Sequence, residues 1–249
     1  MVDERAEYAK GVKGEIDQRP KRFYTDVSIA AENGFWRVLL DKRALRTASG
    51  KHLAVPSERL AEAIAAEWRE QGERIDLYTM HITRMAYGAI DRAPEAWESA
   101  AAEAARFAGT DLVCYLADGP AVLRDRQQAA WAPLREWAGQ ALGVQLDATV
   151  GIAPIAQPEA SLQAVHAHAT SLDTFRQAGL AHAIPLFGSA VLGLAVERGR
   201  LSAAEAYELS RIDEAFQVER WGEDAEAVKR TERGRAEAAA LDIWFAALA

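Results

Sequence analysis

Four residues near the C-terminal end of the sequence have types and spacings that suit a binding site. Asp213, Gln217 and Arg220 recur every three or four residues, so an α-helix would place them along one line. Trp221 and Gly222 follow directly, which puts a large aromatic side chain and a helix stop at the end of that line. A carboxylate, a carboxamide, a guanidinium and an indole could together form a shallow hot spot for a protein partner.

Asp213 is unusual because it falls among apolar residues. On the predicted helix the apolar stripe is Ala206, Leu209 and Phe216, and Asp213 lies between Leu209 and Ala206 on the helical wheel. A carboxylate buried there without a partner is strongly unfavourable. Asp213 therefore either pairs with Arg220 or an arginine of another helix, in a buried ion pair that fixes helix register, or faces a partner protein.

Other familiar signatures of chemistry are missing from the sequence. There is no phosphate-binding glycine loop, no H-E-x-x-H and no G-x-S-x-G. His166 and His168 could share a metal on a strand, but the helix predicted there points them about 200° apart. Cys114 is the only cysteine and looks like a small buried hydrophobe. We predict no metal, no cofactor and no catalysis.

Composition and charge exclude further classes of protein. The 249 residues include 37 acidic and 29 basic ones, a net charge of -8, which argues against a nucleic acid as partner. The longest apolar run, Ile184 to Val196, is shorter than the roughly 20 residues of a membrane span. The charge is uneven, with 12 basic and 9 acidic residues in 1–59 against 17 and 28 in the remainder. This shift indicates two architectures in one chain.

The first part of the chain has the pattern of strands and one covering helix. Asn33-Gly34 between two β-type runs predicts a hairpin, because a type I′ turn needs positive φ at both central positions. Ser57 is the predicted N-cap of a helix whose apolar stripe ends at Trp68, a position that suits a core anchor under the sheet. The predicted strands are 23–29, 35–40, 44–47 and 52–55.

The remainder is predicted to be helical. Ser202 and Glu205 form a capping box, so a helix starts there. The other predicted helices are 94–109, 121–142, 159–170, 172–179, 185–198 and 223–248, with an irregular connection over 144–158. The predicted fold class is therefore α+β. An N-terminal domain over 1–109 combines a small antiparallel β-meander with helix, and an all-helical domain over 110–249 follows it.

Several short segments together carry a resemblance to a known family. They are Phe23-Tyr24, Leu40-Asp41 with Arg43 and Thr47, Pro56 to Trp68 with Gln71, Met80 with Thr83-Arg84, Ala89-Ile90-Asp91, Thr110-Asp111-Leu112 with Cys114-Tyr115, and Phe216-Gln217 with Arg220-Trp221-Gly222. In their order and identity the sequence, from about Arg22 to Ala227, resembles the assembly chaperones for the α subunit of the F-type ATP synthase catalytic head. Glu67-Trp68 and 217–222 are the most specific pieces.

The resemblance implies a function without catalysis. Such proteins bind the new α subunit, cover the surface that it later presents to the β subunit, and release it for assembly of the hexameric head. The family's emphasis falls on Trp68, which can act through folding, and on an acidic residue ahead of Gln217, either Asp213 or Glu214. The expected partner-binding residues are Asp213, Glu214, Gln217, Arg220, Trp221 and Trp68.

An alternative from the residues alone is a helical small-molecule enzyme or ligand-binding protein with a pocket around Asp213, which would need a deep concave site there.

The N-terminal residues 1–21 are polar and mixed in charge, without the apolar core of a signal peptide. We therefore expect a protein of the bacterial cytoplasm, with eukaryotic relatives in the mitochondrial matrix, that inserts into no membrane and is monomeric when free.

Overall fold

The computed structural model describes residues 19–222 and 224–249. A four-stranded antiparallel sheet lies near the N-terminus, and helices make up most of the rest. The predicted α+β class is confirmed. The polar N-terminal segment predicted over 1–21 lies almost entirely outside the described residues.

The sheet is built on the predicted hairpin. Asn33 and Gly34 both have positive φ, 52° and 81°, as a type I′ turn requires, so the hairpin is confirmed. The third and fourth strands are shorter than the predicted 44–47 and 52–55. An isolated antiparallel bridge between Arg46 and His52 pairs the chain segments between them. The strands are β1 (Val27–Glu32), β2 (Phe35–Leu40), β3 (Arg43–Ala44) and β4 (Ala54–Val55), with β1, β3 and β4 all pairing to β2.

Helix α1 (Glu58–Arg69) covers the apolar face of the sheet. It begins where predicted, since the Ser57 side chain accepts from the backbone N–H of Leu60 at 3.1 Å. Leu60, Ile64 and Trp68 are buried against β1 and β2. The four-residue spacing of the apolar side chains thus positions one face of α1 in the core.

The other helices follow the predicted pattern in most places. They are α2 (His81–Asp91), α3 (Pro94–Gly109), α4 (Ala121–Leu142), α5 (Glu159–Ser171), α6 (Thr174–Phe187), α7 (Ala190–Glu197), α8 (Ala203–Ser210), α9 (Ile212–Trp221) and α10 (Ala225–Ala247). Helix α4 has the predicted bounds, and Gly143 ends it in the left-handed conformation. The capping box of Ser202 and Glu205 is present at the start of α8. Strand β5 (Tyr115–Leu116) precedes α4 and strand β6 (Thr149–Val150) follows it, and the two pair as a parallel two-stranded ribbon.

The predicted helix break between Gly179 and Pro185 is wrong. Helix α6 runs through both residues, and the break comes at Gly188, which has φ 64° and precedes Ser189, the N-cap of α7. Gly179 serves close packing, because a Cβ there would lie 2.6 Å from the ring of Phe245. The spacing of glycines along a sequence does not distinguish a helix stop from a close contact.

The single helix predicted after Ser202 is also wrong, because the chain breaks at Arg211. In a continuous helix the carbonyl of Leu209 would accept from the N–H of Asp213. That carbonyl instead accepts from the Trp131 indole nitrogen, 2.9 Å away. Asp213 therefore lies in the first turn of α9, where a helix N-terminus favours a carboxylate, and the wheel that placed it in the stripe of Ala206 does not apply.

The helices of the second half pack against the first. Helix α2 packs on α6, and α10 packs on α1 and α2. The Ser57 hydroxyl donates to the carbonyl of Ala247 at 2.6 Å, so the start of α1 is bonded to the end of α10. The domain boundary after residue 109 stays a prediction.

Candidate functional site

The residues of the predicted binding line lie on α9, which Phe216 anchors to α4. Phe216 is buried, whereas the side chains that follow it are exposed. The guanidinium of Arg220 lies 4.5 Å from the centre of the Phe216 ring, and that of Arg126 on α4 lies 5.4 Å from it. Arg126 also bonds both carboxylate oxygens of Glu219 at 2.8 Å. These contacts fix which face of α9 is turned outward.

The outward face of α9 combines an aromatic, an apolar and two polar side chains. Trp221 is 77% exposed and Val218 is exposed beside it. Gln217 and Arg220 are exposed as well, and Arg220 has no carboxylate within ion-pair distance among the residues that the structure describes. Tryptophan and arginine are both enriched in the hot spots of protein interfaces.

Asp213 has a partner other than the one that the sequence suggested. Its Oδ1 accepts from the Gln127 carboxamide Nε2 at 2.5 Å, and no arginine reaches it within the described residues, so the expected ion pair with Arg220 or another arginine is wrong. Burial raises the pKa of the Asp213 carboxyl, and the neighbouring Glu214 carboxylate raises it further. Glu214 is half-exposed and pairs with Arg211 at 3.1 Å.

Gln127 is the member of this site that the sequence did not indicate. It is fully buried on α4 and lies 86 residues from Asp213 along the chain. A polar residue inside the apolar stripe of a helix is a weak signal that could have drawn attention to it. Only the packing of α4 on α9 shows which residue it bonds.

Trp68 lies apart from α9, in the core under the sheet. It is 4% exposed, its ring makes an edge contact with Tyr24 at 5.5 Å, and its carbonyl accepts from the Tyr24 hydroxyl at 2.6 Å. The preceding Glu67 carboxylate accepts from the backbone N–H groups of Ile82 and Thr83 and so caps the start of α2. The Glu67-Trp68 pair therefore joins α1 to its neighbours.

Other residues of the family-like segments also bind backbone. Asp41 accepts from the N–H groups of Thr25 and Asp26, and Asp91 accepts from Ser49. Asp111 is fully buried and accepts from the N–H of Val191 at the start of α7. Carboxylates that bind backbone N–H groups fix turns and helix starts. Most of these segments thus maintain the fold, whereas the segment on α9 presents several exposed side chains along one helix.

The histidines and the cavities give no sign of a metal or substrate site near Asp213. His166 and His168 lie on helix α5, as predicted, and bond Glu98 and Glu197 separately. Within 19–222 and 224–249 no three His, Cys, Asp or Glu side chains are placed to hold a metal ion. A cavity of about 400 Å³ lies between α3 and α6, and Asp213, Gln217 and Arg220 are not in its walls. None of the helices in these ranges is long and apolar enough to cross a membrane.

Comparison with known proteins gives consistent matches. The profile of the ATP12 chaperone protein family matches residues 21–139. The chain is 28% identical over 222 residues to "Protein atp12, mitochondrial" of Schizosaccharomyces pombe, covering 84% of this chain and 76% of that protein. The crystal structure of Atp12 from Paracoccus denitrificans is 41% identical, covers 90% of this chain and 98% of its own, and superposes with a TM-score of 0.79. An aspartate-to-lysine mutant of the same protein has a TM-score of 0.80 with the same coverage.

The architecture agrees with that of these relatives. A candidate chaperone of Agrobacterium tumefaciens is 34% identical, covers 92% of this chain and 87% of its own, and superposes with a TM-score of 0.85. The predicted family is therefore confirmed: this chain belongs to the ATP12 family of ATP synthase assembly chaperones.

Proposed function

We propose that this chain binds the free α subunit of the F-type ATP synthase catalytic head and covers its β-facing surface until the head assembles. Family membership makes it a chaperone of ATP synthase assembly, with an ATP synthase subunit as partner. A subunit of an obligate hetero-oligomer exposes apolar interface while it waits for its partner, and exposed apolar patches promote aggregation. A protein that covers this apolar interface transiently prevents the aggregation.

The observation that carries the proposal is the outward face of α9. Trp221 is exposed at the end of a helix that buried Phe216 anchors, and Arg220 and Gln217 flank it. We propose that Asp213, Glu214, Gln217, Arg220 and Trp221 contact the α subunit, and that Trp68 contributes by holding α1 under the sheet. Binding equilibria alone then account for covering and releasing the α subunit, because the β subunit competes for the same surface of the α subunit.

Aggregation of isolated α subunit tests this proposal. The purified chain should suppress the light scattering of α subunit as it is diluted from denaturant, and should leave isolated β subunit unchanged. Trp221→Ala should weaken binding of the α subunit by about 30-fold, because truncating an interface hot spot costs about 2 kcal/mol. Tyr78→Ala is the matched control, since Tyr78 is an equally exposed aromatic residue, 83% exposed, near the start of α2.

Two results would contradict the proposal. Unchanged α-subunit aggregation in the presence of wild-type chain would remove the function itself. Equal losses for Trp221→Ala and Tyr78→Ala would remove α9 as the contact surface. Asp213→Lys and Glu214→Lys should each weaken binding of the α subunit while the far-ultraviolet circular dichroism spectrum stays that of the wild type.

We further propose that the chain acts in the bacterial cytoplasm and is monomeric when free. The bacterial origin of the Paracoccus relative supports a bacterial setting, and the mitochondrial name of the fission-yeast relative fits the expectation for eukaryotic relatives. Sedimentation velocity of the purified chain over a range of concentrations tests the monomer, and a concentration-dependent rise in sedimentation coefficient would contradict it.

A further inference from the structure

Gln127 connects two parts of the molecule through one buried carboxamide. Its Oε1 accepts from the backbone N–H of Ala117 at 2.7 Å, and its Nε2 donates to Oδ1 of Asp213 at 2.5 Å. Ala117 follows β5, so the connection between the ribbon and α4 is bonded through this side chain to α9. The Gln127 side chain is fully buried.

The backbone donor decides the orientation of this carboxamide. An N–H group can only donate, so the end of Gln127 that faces Ala117 must be the oxygen. The NH₂ group then faces Asp213, and Oδ1 of Asp213 must accept, as an ionised carboxylate does. Oδ2 of Asp213 has no hydrogen-bond partner among the described residues, and the side chain is only partly buried. One carboxylate oxygen is thus fixed from inside and the other is available to a partner.

We propose that Gln127 is the positioning residue of the partner-binding face, and that its carboxamide holds Asp213 as a fixed, ionised acceptor with one oxygen free for the bound subunit. This inference rests on the proposed function for its partner, whereas the fixing of Asp213 is a property of the free chain. Gln127 itself is buried and contacts no partner.

The charged groups around Asp213 leave the hydrogen bond from Gln127 as the contact that favours its ionised form. Glu214 acts on Asp213 from the same helix and is itself paired with Arg211. On α4 the neighbouring cation, Arg126, is paired with Glu219. Burial and Glu214 both raise the pKa of Asp213, and the hydrogen bond from Gln127 lowers it. Without Gln127, the ionised form of Asp213 loses the hydrogen bond that favours it.

The test is the Gln127→Glu variant, measured against pH. A protonated glutamic acid can reproduce both bonds, because its carbonyl oxygen accepts from Ala117 and its hydroxyl donates to Asp213. Two ionised carboxylates in that place repel each other, and the pair then shares one proton over part of the pH range. We expect Gln127→Glu to bind α subunit like the wild type at low pH and to lose about tenfold or more as the pH rises, since a hydrogen bond to a charged group has that value.

The neighbouring Gln128→Glu variant is the matched control, because it adds the same charge to α4 at an exposed position. We expect its binding to follow the wild-type pH profile. Gln127→Met removes both hydrogen bonds without adding charge. As the pH is lowered, this variant should lose binding of the α subunit at a higher pH than the wild type does. Circular dichroism at each pH separates loss of binding from loss of fold.

A second measurement needs no partner. The pKa of the Asp213 carboxyl, followed by carbon-13 NMR of the free chain, should rise in Gln127→Met and stay unchanged in Gln128→Glu. An unchanged pKa in Gln127→Met would overturn the inference, and so would binding profiles of Gln127→Glu and Gln128→Glu that coincide. If the wild-type chain binds no α subunit at any pH, the proposed function fails, and the NMR result alone decides the role of Gln127.

Discussion

Glu67 caps helix α2 from outside that helix, because one of its carboxylate oxygens accepts both the backbone N–H and the hydroxyl of Thr83, each at 2.7 Å. The other oxygen accepts from the N–H of Ile82 at 2.8 Å. The N-cap residue Met80 makes no side-chain capping bond, so Glu67 supplies the acceptors that the helix start needs. Burial raises the pKa of the Glu67 carboxyl, and these hydrogen bonds oppose the shift.

Replacement of Glu67 by Gln should therefore destabilise the fold. A carboxamide has one acceptor oxygen, so its NH₂ group would face a donor from Ile82 or Thr83. We expect the free energy of unfolding in urea to fall by about 2 kcal/mol, the cost of leaving a buried donor unpaired. Glu73→Gln, at an exposed position, is the control and should stay within about 0.5 kcal/mol of the wild type. Equal losses in the two variants would contradict a capping role.

The features that were predictable from sequence are those with a local cause. The Asn33-Gly34 turn, the capping box of Ser202 and Glu205, and the end of α4 at Gly143 each follow from a few adjacent residues. The wrong predictions have distant causes. The chain breaks at Arg211, where the indole of Trp131 from another helix donates to the carbonyl of Leu209. The hydrogen-bond partner of Asp213 lies 86 residues away along the chain. No periodicity within one segment contains that information.

Gly179 is another position where a distant contact decides the structure. An ideal Cβ at Gly179 would lie 2.6 Å from Phe245 and 2.8 Å from Trp244. Gly179→Ala should therefore lower the free energy of unfolding by about 1–3 kcal/mol through overpacking, although alanine favours a helix. Gly88→Ala in α2 is the matched control, because nothing lies within 4 Å of a Cβ there. It should raise the free energy of unfolding by up to about 1 kcal/mol.

Thermal and urea unfolding of the two glycine variants would check this contrast. If Gly179→Ala is as stable as Gly88→Ala, the close approach of α6 to α10 is wrong.

Helix α9 should depend for its position on Phe216 far more than on its ion pair. Phe216 is buried, whereas the Arg126 and Glu219 side chains are about half-exposed. We expect Phe216→Ala to cost about 3–4 kcal/mol in urea unfolding, because it removes a buried ring, and Glu219→Gln to cost less than about 1 kcal/mol. The effect of Glu219→Gln should shrink further in high salt. A larger loss for Glu219→Gln than for Phe216→Ala would mean that the ion pair holds the helix.

Asp111 should give the stability of the fold a distinct dependence on pH. It is fully buried at the start of α7, and burial raises its pKa from 3.8 to about 6 although backbone N–H groups donate to it. Because the native state then binds more protons than the unfolded chain, the contribution of Asp111 to the free energy of unfolding is greatest at low pH. It falls as the pH rises from about 4 to 6, by up to about 3 kcal/mol.

Asp111→Asn removes this titration. Its urea-unfolding free energy, subtracted from that of the wild type at each pH, should leave a difference that falls between about pH 4 and 6 and is flat above it. The subtraction cancels other carboxylates, such as Glu197, whose pKa is lowered and whose contribution is lost as the pH falls. A wild-type profile parallel to that of Asp111→Asn would mean that Asp111 stays ionised in the folded chain across this range.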